Sequence, residues 1–213
     1  MSIDLVVIGE NWGWPPSGTH HLVRHLGAGR KVVWVNSPTL TCCPACPHLK
    51  AYPAEANTYR PDRILAPLSL STTFPADPNA RAANQQLLGH QIRTAMAALD
   101  LRRPILLTSR PTAIDAVGEL DEHAVVYHCD TNFGGHSSAG DVDRQCPLRQ
   151  LETELIKRAD LIITASPALA AKLPMSKTIM LAQAASPRDE LDTASALWRT
   201  RAADVARLIG NLA

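Results

Sequence analysis

A parallel, doubly wound α/β sheet of about seven strands is predicted by three features of the sequence. Apolar runs of strand length recur along the chain, and most are continuous rather than alternating, as expected of strands covered on both faces. Stretches of helical length lie between them, and strand alternating with helix implies right-handed crossovers between parallel neighbours. The chain has 213 residues, enough to bury roughly 70% of the surface exposed on unfolding, so one substantial domain is expected and two full domains would be cramped.

The first strand is read at Ile3 to Ile8, where Asp4 precedes only a short apolar run, so the amino terminus reads as a strand and not as a signal peptide. A helix follows from Ser17, a good capping residue, to Leu26. Strands at Lys31 to Val35 and Ile64 to Ala66 enclose Ser37 to Asp62, a stretch rich in Pro and Cys without helical period, read as an excursion beyond the strand ends. Next come a helix at Asn79 to Leu99, a strand at Ile105 to Thr108, a helix at Thr112 to Leu120 and a strand at Ala124 to Tyr127. The polar, glycine-rich loop Thr131 to Arg144 leads to a helix at Pro147 to Arg158 and a strand at Leu161 to Thr164. A helix at Pro167 to Leu173 and a strand at Thr178 to Leu181 complete the series, and no short-period repeat is apparent.

Residues 1–182 therefore read as one Rossmann-like domain, 183–196 as a polar linker and 197–213 as a helix that packs back on the domain. In that helix Leu197, Trp198, Val205, Leu208, Ile209 and Leu212 approximate a stripe, with arginines on the other faces.

A formal net charge of +1 provides no global field to draw in nucleic acid or an anionic membrane, so any anion must be bound locally. Nothing in the sequence approaches the length of a membrane span. Five cysteines do not make an even disulfide framework, and a reducing, cytoplasmic compartment is the plainer reading. Cys42, Cys43 and Cys46 with His48 offer four donors close together, but no distant second pair, so ordinary loop thiols are favoured over a metal or a redox disulfide.

The segment IGENWGWPPSGTHHL occupies the place of a nucleotide-binding loop, between strand and helix. No Lys follows Gly18, which excludes the Walker form, and the glycine spacing fails the dinucleotide fingerprint. Ser17 at the cap leaves backbone N–H groups near Thr19 and His20 to attract a phosphate or carboxylate. Trp12 and Trp14 either offer flat faces to a sugar ring or lipid stem, or pack on the domain in a rigid turn.

ENWG, PPSGTHHLVRHL, VVWVNSP, VVYHCDTNF and ETELIKRADLIITASPALA together resemble the N-terminal half of bacterial GT-B glycosyltransferases, of the group that builds cell-surface polysaccharides. The match runs with gaps from about Met1 to Leu181. The resemblance implies an acceptor-side Rossmann-like domain that faces a nucleotide-sugar domain across a cleft. The chain departs from that plan after Leu181, where Ala-Gln-Ala-Ala-Ser186 leads almost at once to LWRTRAADVARLIGNLA, which is similar to the terminal crossing helix of these enzymes. The family's E-x7-E donor motif is not found, so a donor domain is expected from another chain and the isolated chain is expected to be inactive.

On this resemblance Asp130 and His20 are the catalytic candidates, with Glu10, Asn11, Trp12, Ser17, Thr19 and Asn132 as substrate-binding candidates. Asp130 either accepts the proton of an acceptor hydroxyl or caps its own loop. His20 is favoured for a phosphate or acceptor over His21 and His25, which lie one turn apart and face alike. No cofactor and no metal are called for. The expected partners are a donor-domain chain or a second copy of this one, and a glycan or lipid-linked acceptor, with contact at the inner face of a membrane and none with nucleic acid. A non-catalytic module that binds a glycan, lipid phosphate or protein is the second reading, and a compact enzyme with its own nucleotide site is disfavoured by the missing fingerprint.

Overall fold

The computed structural model describes residues 3–12, 16–37, 39–40, 61–66, 69–70, 78–131, 147–181 and 192–211. In chain order the elements are β1 (Leu5–Gly9), α1 (Gly18–Leu26), β2 (Val32–Asn36), β3 (Thr39–Leu40), β4 (Arg63–Leu65) and β5 (Ser69–Leu70). They continue with α2 (Pro78–Ala98), β6 (Ile105–Thr108), a 3-10 helix at Pro111–Ala116, β7 (Ala124–His128), α3 (Pro147–Arg158) and β8 (Leu161–Thr164). The last are α4 (Pro167–Ala170), a 3-10 turn at Met175–Lys177, β9 (Thr178–Met180) and α5 (Asp192–Gly210).

Seven strands form one sheet in the order β4-β2-β1-β6-β7-β8-β9, and every described pair in it is parallel. The fold is the α/β, Rossmann-like sheet expected from the continuous apolar runs. β3 and β5 make a separate parallel pair.

The period of two along each strand explains the two cores. Val6, Ile8, Val33, Val35, Leu106, Val125, Tyr127 and Ile162 face a core closed by α2, the 3-10 helix and α3. Leu5, Val7, Val32, Trp34, Ile105, Leu107, Val126 and Ile163 face the other, closed by α1 and α5. Trp34 is fully buried against β1, and a Cβ on Gly9 would lie 2.7 Å from its ring, so only glycine fits there.

α1 buries Thr19, Leu22, Val23 and Leu26, the spacing of one helical face. α5 lies against α1 and buries Ala202, Val205 and Ile209, with Trp198 and Leu208 partly covered. The helix begins at Asp192, five residues before the point read from the sequence, and the start of the polar linker lies outside the described residues. Arg201 corrects the expectation that the arginines keep to the other faces. It is buried, with its guanidinium 4.4 Å above the Trp198 ring, where a cation is held by the indole face.

The helix expected at Thr112 to Leu120 is a shorter 3-10 helix. Pro111 starts it, Val117 returns to extended backbone, and Gly118 follows at φ +88°. The helix expected at Pro167 to Leu173 is also shorter and ends at Ala170.

From β1 the chain steps to β2 and β4 on one side, then returns through α2 to β6 on the other side of β1. The order therefore reverses between β1 and β6. In open parallel sheets a reversal of this kind opens a crevice at the carboxyl ends of the strands.

Candidate functional site at the carboxyl edge of the sheet

Glu10 leaves β1 at that reversal with its carboxylate mostly buried. Ser17 Oγ donates to Glu10 Oε2 at 2.8 Å, Ser109 Oγ donates to Oε1 at 3.3 Å, and Arg110 Nη2 stands 3.4 Å from Oε1. Burial pushes the Glu10 carboxyl up, but Arg110 and the Ser17 hydroxyl outweigh it and hold the group below its ordinary value. Glu10 thus ties the opening loop to the end of β6 as a carboxylate.

His20 is buried, and its ring packs on Trp34 at 4.4 Å and on Trp12 at 5.2 Å between centroids. Its Nδ1 accepts the backbone N–H of Ser17 at 3.3 Å, so it closes the first turn of α1. Burial pulls its pKa down to about 4, so the ring is neutral, and its Nδ1 also lies 3.0 Å from Ser17 Oγ. Its Nε2 is buried with no hydrogen-bond partner among the described residues, as is Asn11 Oδ1. The Trp12 ring packs edge-on to Trp34 at 4.9 Å, and the Trp12 backbone N–H donates to Asn36 Oδ1 at 2.7 Å. The described tryptophan of the opening loop is partly buried and packs on His20 and Trp34. Trp14 and Asn132 lie outside the described residues, as do Cys42, Cys43 and Cys46.

Thr19 points the other way, to β7. Its Oγ1 is 3.0 Å from Nδ1 of His128, a buried side chain that the sequence reading passed over. Burial lowers the His128 pKa, against the pull of Asp130 and Glu10, so the ring is neutral. Asp130, two residues on, is exposed, and Thr131 Oγ1 donates to its Oδ1 at 3.1 Å. A Cβ on Gly18 would meet His128 Cε1 at 3.0 Å, Trp198 Cη2 at 3.2 Å and Asp130 Oδ2 at 3.8 Å. The first turn of α1, the end of β7 and the start of α5 therefore meet at one glycine. His21 stacks on Trp198 at 5.4 Å and 17°, which gives it a packing role.

The strand register orders these groups. Ile8 pairs with Thr108 and Thr108 with Tyr127, so Glu10, Arg110 and Cys129 each follow by two residues the paired ends of neighbouring strands, with Asp130 next after Cys129. Of the sequence candidates, Glu10, Ser17, Thr19 and Asp130 come together here, while His20 and Trp12 pack beneath them. Cys129 is buried, and burial pushes its thiol up to about 11, so it is not a nucleophilic thiolate at neutral pH. A cavity of about 500 Å³ lined by Arg93, Met96 and Leu101 lies by the amino ends of β6 and β7, away from this rim. Among the described residues no group of three His, Cys, Asp or Glu side chains is placed to hold a metal. No described helix is long and apolar enough to cross a membrane.

No protein-family model matches the sequence, and no curated protein matches it. Among solved structures the chain is similar to a sucrose-phosphate synthase from Thermosynechococcus elongatus, at 12% identity and a TM-score of 0.52, over 98% of this chain and 99% of that one. It is also similar to a UDP-N-acetylglucosamine 2-epimerase from Rickettsia bellii, at 12% identity and a TM-score of 0.47, over 86% of this chain. The chain spans 45% of the epimerase's length. At this identity the likeness is one of fold, and the fold is the Rossmann-like parallel sheet described above.

Proposed function

We propose that this chain is the acceptor-side domain of a GT-B-like glycosyltransferase. Its carboxyl-edge rim holds a glycan or lipid-linked acceptor, and a nucleotide-sugar domain carried by another chain completes the cleft. The observation that carries the reading is the convergence on Gly18, where the start of α1, the end of β7 with exposed Asp130, and α5 pack together at the sheet's reversal. The fold likeness to a sucrose-phosphate synthase over nearly the whole of both chains supports it. In this reading Asp130 accepts the proton of the attacking hydroxyl or fixes its direction, and Thr19 and Glu10 shape the floor. His20 acts by holding the first turn of α1, a positioning role, since its Nδ1 is occupied by the Ser17 N–H.

Two-dimensional NMR of the labelled protein tests this. Titration with an oligosaccharide acceptor should move the backbone signals of Gly18, Thr19 and Asp130, and a nucleotide sugar alone should neither move them nor be hydrolysed. Turnover of a nucleotide sugar by the isolated chain, abolished by Asp130→Asn, would overturn the need for a second chain. If acceptors leave the rim signals unmoved while a protein partner shifts them, the binding-module reading replaces it.

A further inference from the structure

Resting on that reading, we infer that His128 is a positioning residue. Through Thr19 it locks the end of β7 to the first turn of α1, and it holds the Asp130 carboxylate there without pairing its charge. His128 closes β7 and Asp130 follows two residues later, the spacing that sends side chains to one face of an extended chain. Both side chains reach Gly18 on α1, where a Cβ would lie 3.0 Å from His128 Cε1 and 3.8 Å from Asp130 Oδ2. The ring edge and the carboxylate oxygen therefore border the same point.

The imidazole is fixed at another of its atoms. Its Nδ1 lies 3.0 Å from Thr19 Oγ1, and both residues are buried, so this contact joins α1 to β7 out of reach of solvent. Asp130 Oδ1 accepts the Thr131 hydroxyl at 3.1 Å, which leaves Oδ2 as the oxygen that borders Gly18. Trp198 closes the third side, with Cη2 3.2 Å from the same Gly18 position. α1, β7 and α5 thus each contribute a wall beside the inner oxygen of the acid.

Charge decides what such a ring can do for Asp130. Burial keeps His128 neutral, helped by Arg201 on α5 and opposed by Asp130 and by Glu10 at the end of β1. A protonated imidazole would form an ion pair with Asp130 and take up the charge with which the acid accepts a hydroxyl proton. A neutral one packs beside the carboxylate, restricts its rotamers and leaves that charge for the acceptor.

NMR of the full chain tests this in wild type, His128→Phe, Thr19→Val and Thr19→Ser. Three-bond couplings from Asp130 Cγ to its backbone N and C′ report whether the side chain keeps one rotamer or averages over several. One rotamer is expected in wild type and in Thr19→Ser, which keeps the hydroxyl, and averaged values in His128→Phe and Thr19→Val. Ring nitrogen shifts near neutral pH should show a neutral His128 in one tautomer in wild type, and a tautomer mixture in Thr19→Val. Amide dispersion establishes that each variant is folded, and Thr19→Val decides the outcome if His128→Phe does not fold. An averaged Asp130 in wild type, a protonated His128, or a single rotamer kept in the folded variants overturns the inference. If the oligosaccharide-induced shifts at Gly18 and Asp130 survive that result, only the role of His128 falls and the acceptor reading stands.

Discussion

His20 and Asp115 give the fold two opposed responses to pH. Burial lowers the His20 pKa from 6.5 to about 4, so between those values the unfolded chain binds a proton that the folded chain refuses. Its contribution to stability is complete above 6.5 and is lost as the pH falls through that window. His21, His25 and His128 are lowered by burial as well and act in the same sense. Asp115, on the opposite side of the sheet, is fully buried, and burial pushes its carboxyl from 3.8 up to about 6, against the pull of Arg81 at 3.1 Å. There the folded chain keeps a proton that the unfolded chain has released, so this contribution is complete below 3.8 and is lost as the pH rises toward 6. Urea midpoints measured from pH 7 to 4 should therefore fall, and His20→Phe should flatten the fall while Asp115→Asn steepens it. Each change should amount to about 1 to 3 kcal/mol across the window. His20→Phe should also cost about 1 kcal/mol at pH 7 through loss of the acceptor for the Ser17 N–H. Parallel pH profiles for wild type and both variants would show that neither group is linked to folding in this way.

Among the elements, α5 has the most to show, because it comes from the chain's far end and packs on its first helix. Its contact is built on residues 198, 201, 202, 205 and 209, one face of a helix, with Val205 fully buried and Trp198 set between His21 and the guanidinium of Arg201. Trp198→Ala removes the ring that touches Gly18, stacks on His21 and covers Arg201, and leaves a void beside α1. Truncating a buried aromatic costs about 3 to 5 kcal/mol, and a partly buried one somewhat less, so a loss of about 2 to 4 kcal/mol is expected in chemical denaturation. An unchanged transition would mean that α5 does not support the first turn of α1. Across the sheet, Arg81 holds a comparable junction by reaching Asp115 at 3.1 Å and Glu154 at 2.6 Å, which ties α2 to the 3-10 helix and to α3. Glu154 is held below its ordinary value by that contact, while the buried Asp115 is raised.

At the scale of the whole molecule the two cores share one sheet, and every central strand contributes alternate side chains to each. Neither face can lose its helices without exposing strands that the other face also needs. The prediction is a single cooperative transition. Trp12, Trp34 and Trp198 all report on the α1–α5 side, whereas far-ultraviolet dichroism averages over both faces. Denaturation curves from the two probes should coincide, and a tryptophan transition ahead of the dichroism would show that the α1–α5 layer unfolds by itself.

The strands were legible residue by residue because burial on both faces leaves a continuous apolar run, as in Leu5–Gly9 and Leu161–Thr164, that needs no knowledge of neighbours. The amphipathic stripe of α5 was legible for the same local reason, and so was the exit of Asp130 from the end of a strand. The shortened helix after β6 was misread because the apolar pattern runs on past Val117, where Gly118 and its positive φ turn the chain. Glu10, Ser17, Thr19 and Asp130 were legible as rim candidates, but the partners they meet there were not. His128 and Arg110 carry no motif, and their importance comes from strand order and register, which set Glu10 beside Arg110 across 100 residues and Thr19 against His128 across 109. The same nonlocal packing put Arg201 inside, where the local pattern placed it on an outer face. A sequence determines by itself what depends on neighbours along the chain, the period and the cap. Only the tertiary structure decides which strand ends become neighbours, because the parallel crossovers that join them bring together residues whose local sequences hold no record of each other.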